Sequence, residues 1–158
     1  MCAILDANAA HEVFGSNAGQ EATEAGRGFF QWLKDGKGSL VVGGKLKQEL
    51  DQGVPGFRIW ASQAILAGQL VNVDDHRVND KTKDVKKHGG LQSDDPHVIA
   101  LAQVSGARLL FSNDKGFHKD FKNPDIINNG KIYFTARNRN FTSHKRSLLE
   151  KHRCRLGS

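Results

Sequence analysis

Five short apolar runs, set between stretches patterned as helices, limit what this chain can fold into more than any other feature. The runs are Cys2 to Leu5, Leu40 to Val42, Leu70 to Val73, Ala107 to Phe111 and Ile132 to Phe134. Leu40 to Val42 is uninterrupted and rich in β-branched side chains, which suits a strand buried on both faces. Between the runs, Ala22, Ala25, Phe29 and Trp32 fall at helical spacing, as do Val98, Ile99, Leu101 and Ala102. Pro55 and Pro96 can open helices, and Gly15, Gly36, Gly68 and Gly106 can close them. Strands alternating with helices predict an α/β protein: a three-layer α/β/α sandwich around a mainly parallel sheet of four or five strands. The polar stretch from Asp74 to Gln92 reads equally as an exposed helix or a mobile loop.

The chain has 158 residues, the size of one domain with a core that needs no staples. Hydrophobic residues at 38% and charged residues at 25% fit a soluble globular chain and argue against disorder. Eight cations lie from Lys131 onward against the single acid Glu150, so that segment holds +7 in a chain whose total is +6. The body is therefore nearly neutral, and the basicity suggests an anionic partner for the C-terminal part. The expected division is a domain over residues 1–135 and a basic extension over 136–158. Ser143 to His152 would form a helix there that docks through Leu148 and Leu149. Cys2 and Cys154 form no CxxC pair, so neither a disulfide framework nor a zinc finger is implied. The opening MCAILDANAA lacks a basic leader, and no run approaches a membrane span, so a cytoplasmic location without membrane contact is expected.

Acidic residues recur where a parallel sheet gathers its ligands, beyond the carboxyl ends of strands and at helix starts. Asp6 follows the first run, Glu49 the second, Asp95 precedes the helix opened by Pro96, and Asp114 follows the fourth run. Carboxylates about 4 Å apart repel by roughly 4 kcal/mol per pair at an effective dielectric of 20, so such a cluster must take up protons or cations. Hard oxygen donors favour Mg²⁺ or Mn²⁺, which acidify a bound water and neutralise charge on a phosphodiester. Each acid also has a simpler reading: Asp6 and Asp95 as helix caps, Asp114 as a turn residue, Glu49 as a solvated helix residue. His97, in the first turn of its helix, reads as a surface or packed residue, and Asp120 as a peripheral acid or a partner of Lys119 and Lys122.

The run Asp95-Pro96-His97-Val98-Ile99-Ala100-Leu101-Ala102, then Gly106-Ala107, then Ser112-Asn113-Asp114 with Phe117, resembles the third and fourth acidic motifs of PIN-domain ribonucleases. Leu5-Asp6 with Asn8 is similar to the first motif, and the apolar run before Glu49 to the second. The likeness spans about Ala3 to Phe117 and includes the toxin subunits of bacterial toxin and antitoxin pairs. It implies an endoribonuclease dependent on Mg²⁺ or Mn²⁺, with Asp6, Glu49, Asp95 and Asp114 as ligands and Ser112 orienting the site. Asn8 would orient a carboxylate or a bound water. Asp94 is the alternative to Asp95, or its capping neighbour. RNA is the implied substrate and a cognate antitoxin an implied partner, and a homodimer is left open.

The basic segment offers Arg137, Arg139, Lys145 and Arg146, interleaved with Phe134 and Phe141, as contacts to an RNA backbone and its bases. Two other functions compete with the nuclease. One is an inactive PIN-like module that binds RNA or protein through this segment. The other is a phosphatase using Asp6 as nucleophile, which Asn8 disfavours because a second Asp is expected there.

Overall fold

The computed structural model describes residues 3–15, 21–93 and 95–152. Its strands are β1 (Ala3–Leu5), β2 (Leu40–Val42), β3 (Leu70–Asn72), β4 (Leu109–Phe111) and β5 (Lys131–Tyr133). Its helices are α1 (Ala10–Phe14), α2 (Glu24–Lys34), α3 (Gly44–Gly53), α4 (Pro55–Leu66), α5 (Asp75–His88), α6 (Pro96–Ser105), α7 (Lys115–Lys122) and α8 (Ser143–Lys151), with a 3-10 turn at Ala7–Ala9. Every strand pairing is parallel, and the strands lie in the order β3-β2-β1-β4-β5. The fold is thus the expected three-layer α/β/α sandwich, with five strands.

One group of helices, α1, α2, α4 and α8, packs together, and α5, α6 and α7 form a second group, while α3 touches α4, α5 and α6. With a layer on each side, β1, β2 and β4 are buried along their whole length, which is why their sequences are continuous apolar runs. Phe29, Phe111 and Tyr133 stack against one another, with ring centroids 4.6 to 5.5 Å apart. The Tyr133 hydroxyl leaves this cluster satisfied, donating to the Ala25 carbonyl at 2.6 Å.

Chain order reverses at β1. The chain runs outward from β1 through β2 to β3, then returns to place β4 on the other side of β1. That reversal opens a crevice beyond the carboxyl ends of β1 and β4, the usual ligand position in open parallel sheets.

Several local devices decide how elements enter this frame. The stretch 74–92, open between helix and loop by sequence, is helix α5. Asp74 caps it by accepting the His76 and Arg77 amides at 2.8 and 3.3 Å, and Val78 and Val85 are its buried residues. Gly44 starts α3 directly after β2 at a positive φ of 58°, and its amide donates to Asp75 Oδ1 at 2.8 Å. Gly26 lets α2 approach α1: a Cβ there would lie 1.7 Å from the Glu12 carbonyl oxygen. The extension docks through α8 against α2, with Leu149 buried and Leu148 half-buried, and the Ala25 amide donates to the Arg139 carbonyl at 2.8 Å. None of the described helices is long and apolar enough to cross a membrane.

Candidate active site

The crevice at the strand reversal is built on Asp6 and Ser112. The Asp6 amide continues the sheet by donating to the Phe111 carbonyl at 2.9 Å, which fixes Asp6 immediately past β1 and beside the end of β4. Ser112 Oγ donates to Asp6 Oδ2 at 2.8 Å and accepts the Asp114 amide at 3.1 Å. The Ser112 carbonyl lies 2.6 Å from His118 Nε2, and because a carbonyl only accepts, that nitrogen carries the proton. Ser112 is fully buried, so one serine locks two acidic positions through both functions of its hydroxyl.

Asp6 is only 6% exposed. Burial pushes its carboxyl up from the ordinary 3.8 to about 6, against the Ser112 hydrogen bond, and the negative charges of Asp114 and Glu49 push it in the same direction. Its side chain caps nothing, so the capping reading fails here. Asp114 does cap α7, accepting the Gly116 and Phe117 amides on Oδ1 at 2.8 and 3.4 Å. The turn reading therefore holds for Asp114, whose amide is tied through Ser112 to Asp6.

Glu49 and Asp95 form the second half of the cluster. Asp95 precedes α6 without capping it, and its carboxylate reaches Lys45 Nζ at 3.3 Å. The same ammonium lies 3.7 Å from Glu49 Oε1, one helical turn away on α3. His97 is buried between the same two acids, with Nε2 at 3.8 Å from Glu49 Oε1 and Nδ1 at 3.9 Å from Asp95 Oδ1. Its Nε2 has no hydrogen-bond partner, and burial lowers its pKa against the pull of Glu49 and Asp95. Among the described residues no three Asp, Glu, His or Cys side chains are close enough to hold an ion as they stand, and Lys45 supplies the positive charge between Glu49 and Asp95. Asn8 is exposed at the rim, and Asp94 lies outside the described residues.

Other polar groups hold this site from behind. Asp120 is buried and accepts the Gln92 and Ser93 amides at 2.7 and 2.9 Å, so it fixes the loop that delivers Asp95 instead of pairing with Lys119 or Lys122. Glu12 is fully buried on α1 and accepts hydrogen bonds from Thr23 at 3.1 Å, Asn113 at 2.9 Å and Thr135 at 2.6 Å. Asn113 stands between Ser112 and Asp114, so this network anchors the end of β4 to α1 and to the start of the extension. The four basic residues expected on RNA have separate fates. Arg137 is exposed, Arg139 Nε lies 3.7 Å from Glu12 Oε1, and Arg146 sits over the Phe141 ring at 5.1 Å. Lys145 is buried, and its ammonium donates to the Asn138 and Asn140 carbonyls at 2.6 and 2.9 Å, so it braces the loop and presents no charge to a phosphate.

Lys45, His97, Glu12 and Asp120 are the contributors that sequence reading passed over or read otherwise. Only the spacing of Lys45 and Glu49 was a usable signal, because charges four apart on a helix meet. Comparison with family models, with curated proteins and with solved structures returns no match for this chain.

Proposed function

We propose that the chain is an endoribonuclease of the PIN type that uses Mg²⁺ or Mn²⁺ to cleave RNA. The observation that carries this reading is the Asp6–Ser112–Asp114 unit at the strand reversal, where a buried carboxylate is held against the charges of two further acids. The donor set suits a hard cation: Asp6, Glu49, Asp95 and Asp114 offer only oxygen, and their mutual repulsion is what such an ion relieves. These four residues would hold the ion, which when bound supplies an acidified water and charge neutralisation at phosphorus. The chain's own part is positioning. Ser112 holds Asp6 and the start of α7 together, Asp120 holds the approach to Asp95, and Lys45 keeps Glu49 and Asp95 paired in the absence of another cation. A toxin role, restrained by a cognate antitoxin, belongs to the same reading.

The test is cleavage of single-stranded RNA in Mg²⁺ or Mn²⁺ with chelator controls, using Asp6→Asn, Asp95→Asn and Asp114→Asn. Cleavage should vanish with chelator and in each variant. Activity that survives all three changes refutes the assignment. For the toxin role, expression of the wild type should arrest growth and that of Asp6→Asn should not. The Lys45 bridge favours a second reading, a non-catalytic PIN-like module whose acid pair is already neutralised. Calorimetric titration with Mn²⁺ separates the two, since the module would bind no ion.

A further inference from the structure

A second charged feature lies away from the acids. The end of α7, the start of β5 and one side of α8 enclose a groove of about 680 Å³ with Lys122, Lys131, Lys151 and His144 on its walls and Ile132 and Leu148 on its floor. None of its described lining residues is acidic. All three lysines are exposed, and none has a carboxylate of the described residues within ion-pair distance, whereas Lys45, Lys47 and Lys81 are each paired. Three uncompensated ammonium groups facing one groove repel, and a polyanion relieves that repulsion.

We infer that this groove is a binding site for the sugar-phosphate backbone of single-stranded RNA, separate from the acidic crevice. The chemistry favours phosphate over base contact: the described lining contains no Phe, Tyr or Trp, and its three lysines outnumber the two smaller imidazole rings, His144 and His152. Its apolar lining residues are Pro124, Ile127, Ile132 and Leu148, and an acidic peptide is the competing occupant that the poly-glutamate arm of the test distinguishes. Position ties it to the reading above, on which it rests for the identity of the nucleic acid. Lys131 pairs with Leu109 at the amino end of the sheet, opposite the acids. Helix α7 runs from Asp114 at the acidic crevice to Lys122 at the groove, roughly 12 Å for eight residues at 1.5 Å each. One RNA strand following the β5 edge can therefore touch both, and the groove would grip substrate without taking part in the chemistry.

The test is fluorescence anisotropy of a labelled single-stranded RNA in chelator, where nothing is cut, comparing the wild type with the triple variant K122A/K131A/K151A. These side chains are exposed, so folding should survive, which circular dichroism checks. The expected result is at least about tenfold weaker binding at low salt, with the slope of log affinity against log salt shallower by about 2, from roughly 0.7 per lost phosphate contact. Sequence-scrambled RNAs should bind equally well. Unchanged affinity and slope overturn the inference, as does lysine-dependent binding of poly-glutamate with RNA binding unaffected. Cleavage measured in parallel with Mn²⁺ separates the two claims. RNA held through the lysines but never cut supports the groove and sinks the nuclease reading, and cleavage with wild-type binding in the triple variant does the reverse.

Discussion

Replacing Asp6 by Asn should remove a pH-dependent cost that the fold carries at its central strand. The Asp6 carboxyl titrates near 6 in the folded chain against an ordinary 3.8, chiefly because it is buried. Below 3.8 both folded and unfolded chains hold the proton, and the neutral side chain contributes its full stability. As pH rises the unfolded chain releases the proton first, so stability falls until the folded form is also ionised above about 6. At 1.36 kcal/mol per pKa unit the whole interval corresponds to about 3 kcal/mol. About half of it falls between about pH 5 and pH 8, since much of the unfolded-state titration is already complete at pH 5. Asn cannot ionise but can still accept from Ser112 through its amide oxygen. Urea unfolding of both proteins in chelator should therefore show Asp6→Asn gaining about 1 to 2 kcal/mol on the wild type between those two pH values. For a chain of this size that is a gain of about 3 to 6 °C in relative Tm. The difference between the two proteins cancels titrations elsewhere. A flat difference across the range would mean that the Asp6 charge is not held at a cost, and the electrostatic argument for the site would fall with it.

Gly26→Ala should destabilise by at least about 3 kcal/mol in urea unfolding, because its Cβ would lie 1.7 Å from the Glu12 carbonyl oxygen and backbone must move to admit it. Asp120→Ala leaves the Gln92 and Ser93 amides without their acceptor and should cost about 2 to 4 kcal/mol, with faster hydrogen exchange at those amides. A normal exchange rate there would refute the clamp. Tyr133→Phe removes one buried donor to the Ala25 carbonyl and should cost about 1 to 2 kcal/mol by thermal unfolding, with the aromatic packing intact.

Where local patterns govern, the sequence was easily read. The strands at 40–42 and 109–111 could be recognised because burial on both faces demands continuous apolar residues, while the expected start at Ala107 was two residues early because Arg108 interrupts the run. Pro96 and Gly106 marked the ends of α6 because each has a conformational reason to stand there. Helix α5 was ambiguous because Val78 and Val85 are its only buried side chains, too few to set a clear period. The acids at strand ends were visible one at a time. Their partners were not: Lys45 and Asp95 are 50 positions apart, and Ser112 and Asp6 are 106. Glu12, Asp120 and Lys145 were invisible as interior residues, since charged side chains are ordinarily exposed and only a folded set of donors or acceptors makes their burial tolerable.

By itself, then, the sequence determined the alternation of strand and helix, the parallel sheet, the surplus of positive charge after residue 130, and the four acids standing at element ends. Those follow from periodicity, caps and counting, all of which act over a few residues. Only the tertiary structure decided that the chain reverses at β1, because strand order depends on which distant segments pair. That reversal puts Asp6 against Ser112, lets Asp114 and Glu49 act on the Asp6 proton, and sets Lys45 between Glu49 and Asp95. It was tertiary packing too that divided the basic residues, turning Lys145 inward as a brace and leaving Lys122, Lys131 and Lys151 facing one groove.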